Sequence, residues 1–315
     1  MSVFTTVSTD ELSAFLRDYD LGALTGMRGT TSGVENTNYF VSTTAGEYVL
    51  TLFESTPAED LPFFIGVMDH LAAHDVPSPA PYPDRNGRFL RTLNGRPAIV
   101  VRRLHGAAVE TPGAAQLAQV GDYLSRIHLS GAGEKYQRND PRGVQWRAMQ
   151  IERLRPVLAR DEFTALQREV ELQAAIDDSV LPCGILHADL FRDNVLFSGH
   201  VLSGILDFYY ACSGSYLYDL AVTINDWCFD DHDAWHTERC GELLSNYQAR
   251  RTLNDAEWRM LPLMLRRAAL RFLLSRLGDW HFPREGELIQ KKDPARFRRI
   301  LALHQSYPDL ISAAD

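Results

Sequence analysis

"LHADLFRDNVLF", residues 186–197, decides how the chain is read. It sets a histidine, two aspartates and an asparagine within eight positions, with apolar stretches close on either side. Polar groups packed against core strands are costly to bury without partners, so Asp189 and Asn194 need some. The plainest account is a turn held by side-chain to backbone hydrogen bonds. A second apolar run, "GILDFYYA" (204–211), places Asp207 eighteen positions after Asp189. Folded as adjacent short strands, "GIL" (184–186) and "GILD" would aim both carboxylates at one cleft. A carboxylate and an amide oxygen suit Mg²⁺, a hard cation that keeps waters and leans on substrate phosphates. The other carboxylate would then be free to accept a proton.

The rest of the chain bounds this reading. Its 315 residues are about twice the soft prior for one domain, which argues for two lobes sharing a cleft. Composition is ordinary for a soluble globular protein, and a mean hydropathy of -0.21 argues against a membrane protein. The longest apolar candidate, "LPLMLRRAALRFLL" (261–274), is interrupted by Arg266, Arg267 and Arg271, so it reads as a packed helix. No secretory or transit signal is visible at the N-terminus, so a cytoplasmic location is expected, with no membrane partner. Cys183, Cys212, Cys228 and Cys240 form no C-x-x-C pair and are expected to be small core residues. A net charge of -9 and the lack of a dense basic run make nucleic acid an unexpected partner and favour a small polar substrate.

Ser8 and Glu11 form a capping-box pattern ahead of Leu12, predicting a short first helix. Strand-favouring runs at Tyr39–Thr43 and Tyr48–Phe53 flank a turn at Ala45-Gly46, after a Gly-rich loop. Helical spacing over Glu59–His74 follows, then a stiff loop "VPSPAPYP" and a hairpin (88–104) whose Asn94-Gly95 fits a type I′ turn. Long helical patterns occupy 113–130, roughly 144–160 and 161–178. Short strands recur around 184–186, "NVLF" and "GILDF", and helices run from Tyr218 onward. The expectation is an α+β two-lobed fold, with a small antiparallel-sheet N-lobe (1–104) and a mostly helical C-lobe (105–315).

Phosphoryl transfer asks for a catalytic-loop aspartate, an asparagine metal ligand shortly after it, and a metal-binding aspartate on a later strand. "HADLFRDN" followed by Asp207-Phe208 supplies these in order, although Tyr209 stands where a D-F-G has glycine. The chain resembles the protein-kinase-like superfamily in its small-molecule branch, the aminoglycoside and choline phosphotransferase group. Within that branch, "SGVENTNYFV", "YVLTLFE", "LHADLFRDNVLF" and "RAALRFLLSRLGDWHFPREGELIQKKDP" are similar to bacterial homoserine kinases over nearly the whole chain. The resemblance implies ATP-dependent phosphorylation of the L-homoserine hydroxyl, in threonine biosynthesis.

Carried over by position, the resemblance implies that Asp189 is the base or orienter, while Asn194 and Asp207 hold Mg²⁺ on ATP. It also implies that the Gly29–Asn38 loop, with Ser32 and Asn36, covers the phosphates, and that Val101–Leu104, with Arg103, is the hinge that meets adenine. Period-2 alternation sends Val49 to adenine and Thr51 toward the phosphates. Thr51 occupies the position of the usual phosphate-binding lysine, and a hydroxyl cannot replace an ammonium. Arg28 or Mg²⁺ with backbone donors would supply the charge, or the site is inactive. Homoserine is a zwitterion, so Asp226 and Trp227 are candidates for its ammonium, Arg271 or Arg276 for its carboxylate, and Tyr209 for the pocket wall. A kinase for another amino alcohol or aminosugar, a nucleotide-binding pseudokinase and a metal-dependent hydrolase are the competing expectations. His187 is expected to brace the loop, His105, His128, His200 and His304 to lie at the surface or core edge, and the "RRAALRF" arginines to form a solvated helix face.

Overall fold

The computed structural model describes residues 4–30, 36–283 and 292–311. One compact unit runs up to His105 and includes Gly204–Leu206; the other comprises Gly106–Ser203 and the described residues from Asp207 onward.

In the first unit, helix α1 (Thr9–Leu16) starts from a capping box: the Ser8 hydroxyl accepts from the Glu11 N–H while the Glu11 carboxylate accepts from the Ser8 N–H. Strands β1 (Leu24–Gly29), β2 (Asn36–Thr43) and β3 (Gly46–Phe53) form the meander, and helix α2 (Leu61–Ala73) follows. Pro62 falls in its first turn, where no amide hydrogen is needed. Strands β4 (Pro81–Tyr82), β5 (Arg91–Leu93) and β6 (Arg96–Arg102) complete an antiparallel sheet in the order β1-β2-β3-β6-β4, with β5 also on β6. Part of the loop expected at "VPSPAPYP" is therefore strand β4. Asn94 (φ 49°) and Gly95 (φ 75°) both take left-handed backbone, as a type I′ turn demands. Alternation assigns the two faces of β3 and β6. Tyr48, Leu50, Leu52, Ala98 and Val100 join Leu12, Phe15 and Leu16 of α1 in one core, while Val49 and Thr51 pair in register with Val101 and Ile99.

The second unit contains helices α3 (Ala114–Leu129), α4 (Ala132–Lys135), α5 (Val144–Leu154) and α6 (Arg160–Ala174). Helix α5 ends six residues short of the expected 160: Arg155 still has helical backbone, but Pro156 has no N–H to donate to the preceding turn. Strands β7 (Cys183–Leu186), β8 (Val195–Ser198), β9 (Val201–Ile205) and β10 (Cys212–Ser215) precede α7 (Tyr216–Trp227), α8 (Thr237–Gln248), α9 (Asp255–His281) and α10 (Ala295–Ser306). The expected pairing of the strands before Asp189 and Asp207 does not occur: β7 pairs with β10 and β8 with β9. Helix α3 crosses α8 so closely at Gly121 that a Cβ there would collide with the Leu243 carbonyl. No helix among the described residues is long and apolar enough to cross a membrane.

Several polar residues of α9 and α10 are buried, contrary to the sequence expectation. Arg266 donates to both carboxylate oxygens of Glu169, at 3.1 and 2.5 Å, and Arg267 donates to Gln173 and Asp178. The α9 arginines therefore face the interior of the unit, as crosslinks to the α6 region. His128 and His304 are also enclosed, and Cys183, expected in the core, is exposed. His304 lies 2.8 Å from the Asn225 amide oxygen, which accepts from its Nε2–H, and burial pushes its pKa down to about 4. The folded form thus resists a proton that the unfolded chain takes up near 6.5, so stability held above that pH is lost as pH falls toward about 4. His304 should contribute a slope of up to ~1.4 kcal/mol per pH unit in that window. Urea unfolding of wild type and His304→Gln across that window measures it; identical slopes would exclude this residue.

Candidate active site

Strand β7 delivers the chain to His187 and Ala188, whose backbone turns left-handed at Ala188 (φ 62°). That conformation costs a non-glycine residue about 1 kcal/mol and needs external support. Asp219, fully buried on α7, supplies it: its carboxylate accepts the His187 N–H at 2.8 Å and the Ala188 N–H at 2.7 Å. His128 Nε2 stands 3.1 Å from the same carboxylate and its Nδ1 2.8 Å from the Tyr247 hydroxyl. Arg251 donates to that hydroxyl oxygen, so the Tyr247 O–H donates to Nδ1, leaving the Nε2–H of neutral His128 for Asp219. Burial pushes the Asp219 carboxyl up, but the His128 bond and the His187 backbone N–H outweigh it and hold the group below the usual range.

Beyond Ala188 the same helix holds the loop twice more. The Trp227 indole N–H donates to the Leu190 carbonyl at 2.9 Å, and Asp226 accepts the Arg192 backbone N–H at 2.8 Å and its Nε at 3.3 Å. Asp226 also faces Arg296 Nη2 at 3.5 Å. Trp227 is completely enclosed. Both residues, expected at a ligand's ammonium, thus have their polar atoms committed to the loop, and this corrects that expectation. Asp219 was not singled out from the sequence; its signal is a lone acid inside the apolar run "YLYDLAVTI", which needs a partner.

The loop presents its functional groups on these supports. His187 Nδ1 accepts the Asp189 N–H at 3.2 Å, a bracing role. Asn194 donates through Nδ2 to the Asp189 carbonyl (2.8 Å) and Oδ2 (3.2 Å). This spends its amide hydrogens and leaves Oδ1 as an acceptor with no partner among the described residues. That oxygen is the donor type a hard cation takes, so the site fits Mg²⁺. The Asp189 side chain is 17% exposed, with Arg271 Nη1 3.9 Å from its Oδ1. Burial pushes its carboxyl up to about 7; Arg271 opposes the rise, and the charges of Asp207 and Asp193 add to it. Asp207, left-handed at φ 60°, follows β9, and Tyr209 lies in the short 3-10 turn after it. Arg271 faces Asp189, whereas Arg276 donates to the Asp293 carbonyl and lies over the Phe297 ring.

In the first unit, Thr51 is 3% exposed and its hydroxyl donates to Asn38 Oδ1 at 2.7 Å. Its hydrogen is thus spent inside the sheet, which corrects the expectation of a hydroxyl offered outward. Asn36 is 4% exposed, with an enclosed Oδ1 that finds no donor among the described residues. Val101 is buried, Leu104 half-buried, and Arg103 pairs with Glu47 at 3.2 Å. The guanidinium groups of Arg103 and Arg28 lie 4.2 and 5.4 Å from the Phe40 ring centroid. Ser32 lies outside the described residues.

Residues 26–253 match the phosphotransferase enzyme family. A homoserine kinase of Methylobacillus flagellatus is 45% identical over 301 residues, covering 96% of this chain and 94% of its own. One of Polaromonas naphthalenivorans is 41% identical, covering 99% of this chain and all of its own. Among solved structures, a spectinomycin phosphotransferase bound to ADP and spectinomycin superposes with TM-score 0.73 at 13% identity, over 98% of this chain and 100% of its own. An amicoumacin kinase bound to AMP-PNP and Ca²⁺ gives 0.68 at 16%, over 96% and 93%. At such identities these two show the fold alone.

The Asp219 arrangement makes a testable demand. Asp219→Ala strands two buried backbone N–H groups and His128 and should cost roughly 3–5 kcal/mol in urea unfolding. A loss under about 1 kcal/mol would show that the loop does not depend on this carboxylate.

Proposed function

The chain belongs to the phosphotransferase enzyme family, and from that premise we propose that it transfers the γ-phosphoryl group of ATP to the side-chain hydroxyl of L-homoserine. The carrying observation is identity of 41–45% to homoserine kinases over nearly their full length. The product, O-phospho-L-homoserine, is a threonine precursor, consistent with a cytoplasmic biosynthetic enzyme.

Asp189 serves as the base or orienter of the acceptor hydroxyl, held in place by the three α7 supports of its loop. Asn194 Oδ1 and the Asp207 carboxylate would hold the Mg²⁺ that accompanies ATP. When bound, the ion neutralises charge that builds on the transferring group. The sheet unit, up to about residue 104, is the nucleotide-binding lobe, and the helical remainder is the catalytic and acceptor lobe. Val49 and the Val101–Leu104 segment meet adenine. Thr51 leaves no side-chain cation at the usual lysine position, so the phosphate charge is met by the metal ion or by Arg28.

Coupled ADP release with ATP and L-homoserine tests the reaction, against choline, aminosugars and simple amino alcohols. Turnover of any of these in preference to homoserine would overturn the acceptor, and absence of turnover despite ATP binding would make the protein a pseudokinase. Asp189→Asn should lower kcat about 10²- to 10⁴-fold with ATP affinity retained. Asp207→Asn should instead weaken Mg²⁺-ATP binding, read by titration calorimetry at several Mg²⁺ concentrations. Full activity in Asp189→Asn would remove that residue from the chemistry.

A further inference from the structure

Arg271 is only 4% exposed, yet its guanidinium makes no hydrogen bond among the described residues; Asp189 Oδ1, at 3.9 Å, is beyond hydrogen-bond reach. One turn earlier on the same helix, Arg267 donates to Gln173 Oε1, the Gln173 carbonyl and Asp178. Burying a guanidinium without acceptors is unfavourable unless a ligand brings them. The fork is also held in orientation, 5.1 Å from the Tyr210 ring centroid and 3.8 Å from that of Phe272. A planar fork held this way suits a carboxylate.

The two oxygens of Asp189 separate the acceptor from the metal. Asn194 Nδ2 reaches Oδ2, whereas Arg271 Nη1 faces Oδ1. Arg271 therefore stands at the carboxylate oxygen away from the candidate metal ligand. Arg276, the alternative carboxylate partner, is committed to the Asp293 carbonyl and the Phe297 ring.

We propose that Arg271 receives the carboxylate of the acceptor amino acid and is the residue that selects homoserine over amino alcohols lacking that group. This rests on the homoserine kinase reading. The hydroxyl and carboxylate of homoserine lie roughly 5 Å apart, so one molecule reaches Asp189 and Arg271 together.

The test is the ratio of kcat/KM for L-homoserine to that for 3-aminopropanol, which is homoserine without its carboxylate. In the wild type the ratio is large; in Arg271→Gln it falls about 10²-fold or more, through KM for homoserine, while KM for ATP holds. Arg271→Lys, which keeps the charge but loses the fork, falls between the two and serves if the Gln variant fails to fold. A wild type that accepts both compounds equally overturns the proposal. So does an Arg271 variant that loses both acceptors in proportion through kcat, since Arg271 would then act only by positioning Asp189. A rise confined to KM for ATP would place Arg271 on the phosphates and also overturn it. An enzyme that phosphorylates some other acceptor and not homoserine overturns the functional reading as well, whereas an active homoserine kinase with an unchanged ratio overturns this proposal alone.

Discussion

A single buried carboxylate, Asp219, lets the chain turn at Ala188 and still satisfy its backbone. A left-handed alanine is unfavourable by about 1 kcal/mol, and two neighbouring amide hydrogens point away from any strand partner. Bonds to an ionised acceptor are each worth about 1.5–3 kcal/mol, so the two that Asp219 receives outweigh the strain. The ion itself survives burial because it is fully donated to. Arg251 donates to Tyr247, Tyr247 to His128 and His128 to Asp219, a chain that ties α8 and α3 to α7 through oriented hydrogen bonds. Loss of any link leaves a buried polar group unpaired.

The spacing on α7 explains why one helix can hold an entire loop. Asp219 and Asp226 are seven residues apart, two helical turns, so they share a face and stand about 10 Å apart along the axis. The loop from His187 to Arg192 lies along that face, bonded near its start by Asp219 and at its end by Asp226, with the Trp227 indole on Leu190 between them. Helix α10 adds Arg296 beside Asp226, and Arg296 also donates to Asp233. Asp189 and Asn194 thus sit on a segment whose backbone is fixed from behind, while their own side chains engage mainly each other.

Local signals in the sequence carry much of this arrangement. The capping box at Ser8, the Asn94-Gly95 turn and the strand-favouring runs of β2 and β3 appear as read, because each rests on chemistry within a few residues. The Asp189-to-Asn194 spacing shares that property: five positions are enough for the amide to fold back on the aspartate. Long-range partners were not legible. Strand β10, "CSGS", has almost no strand propensity and exists because Leu186 and Ile185 of β7 need a partner. The arginines of α9 look solvated until Glu169 and Asp178, about ninety residues away, are brought beside them. Trp227 and Asp226 have the right chemistry for an ammonium; only the fold shows that the Leu190 carbonyl and the Arg192 amide already use it.

The aspartates read together from the sequence follow different two-stranded ribbons, one on β7–β10 and one on β8–β9, yet the same device presents both. Each follows a strand at a left-handed residue, Ala188 just before Asp189 and Asp207 itself. A residue in that conformation breaks the ladder at once, so the side chain leaves the sheet's pleat instead of being buried by the next pair. This explains how two carboxylates can end apolar strands without entering the core. The left-handed turn at Ala188 also keeps Asp189 beside Arg271, which opposes the upward push of burial on its carboxyl. The conformation that the apolar runs oppose is the one that keeps these acids at the edge of the core, and the supporting bonds from α7 stabilise it at Ala188.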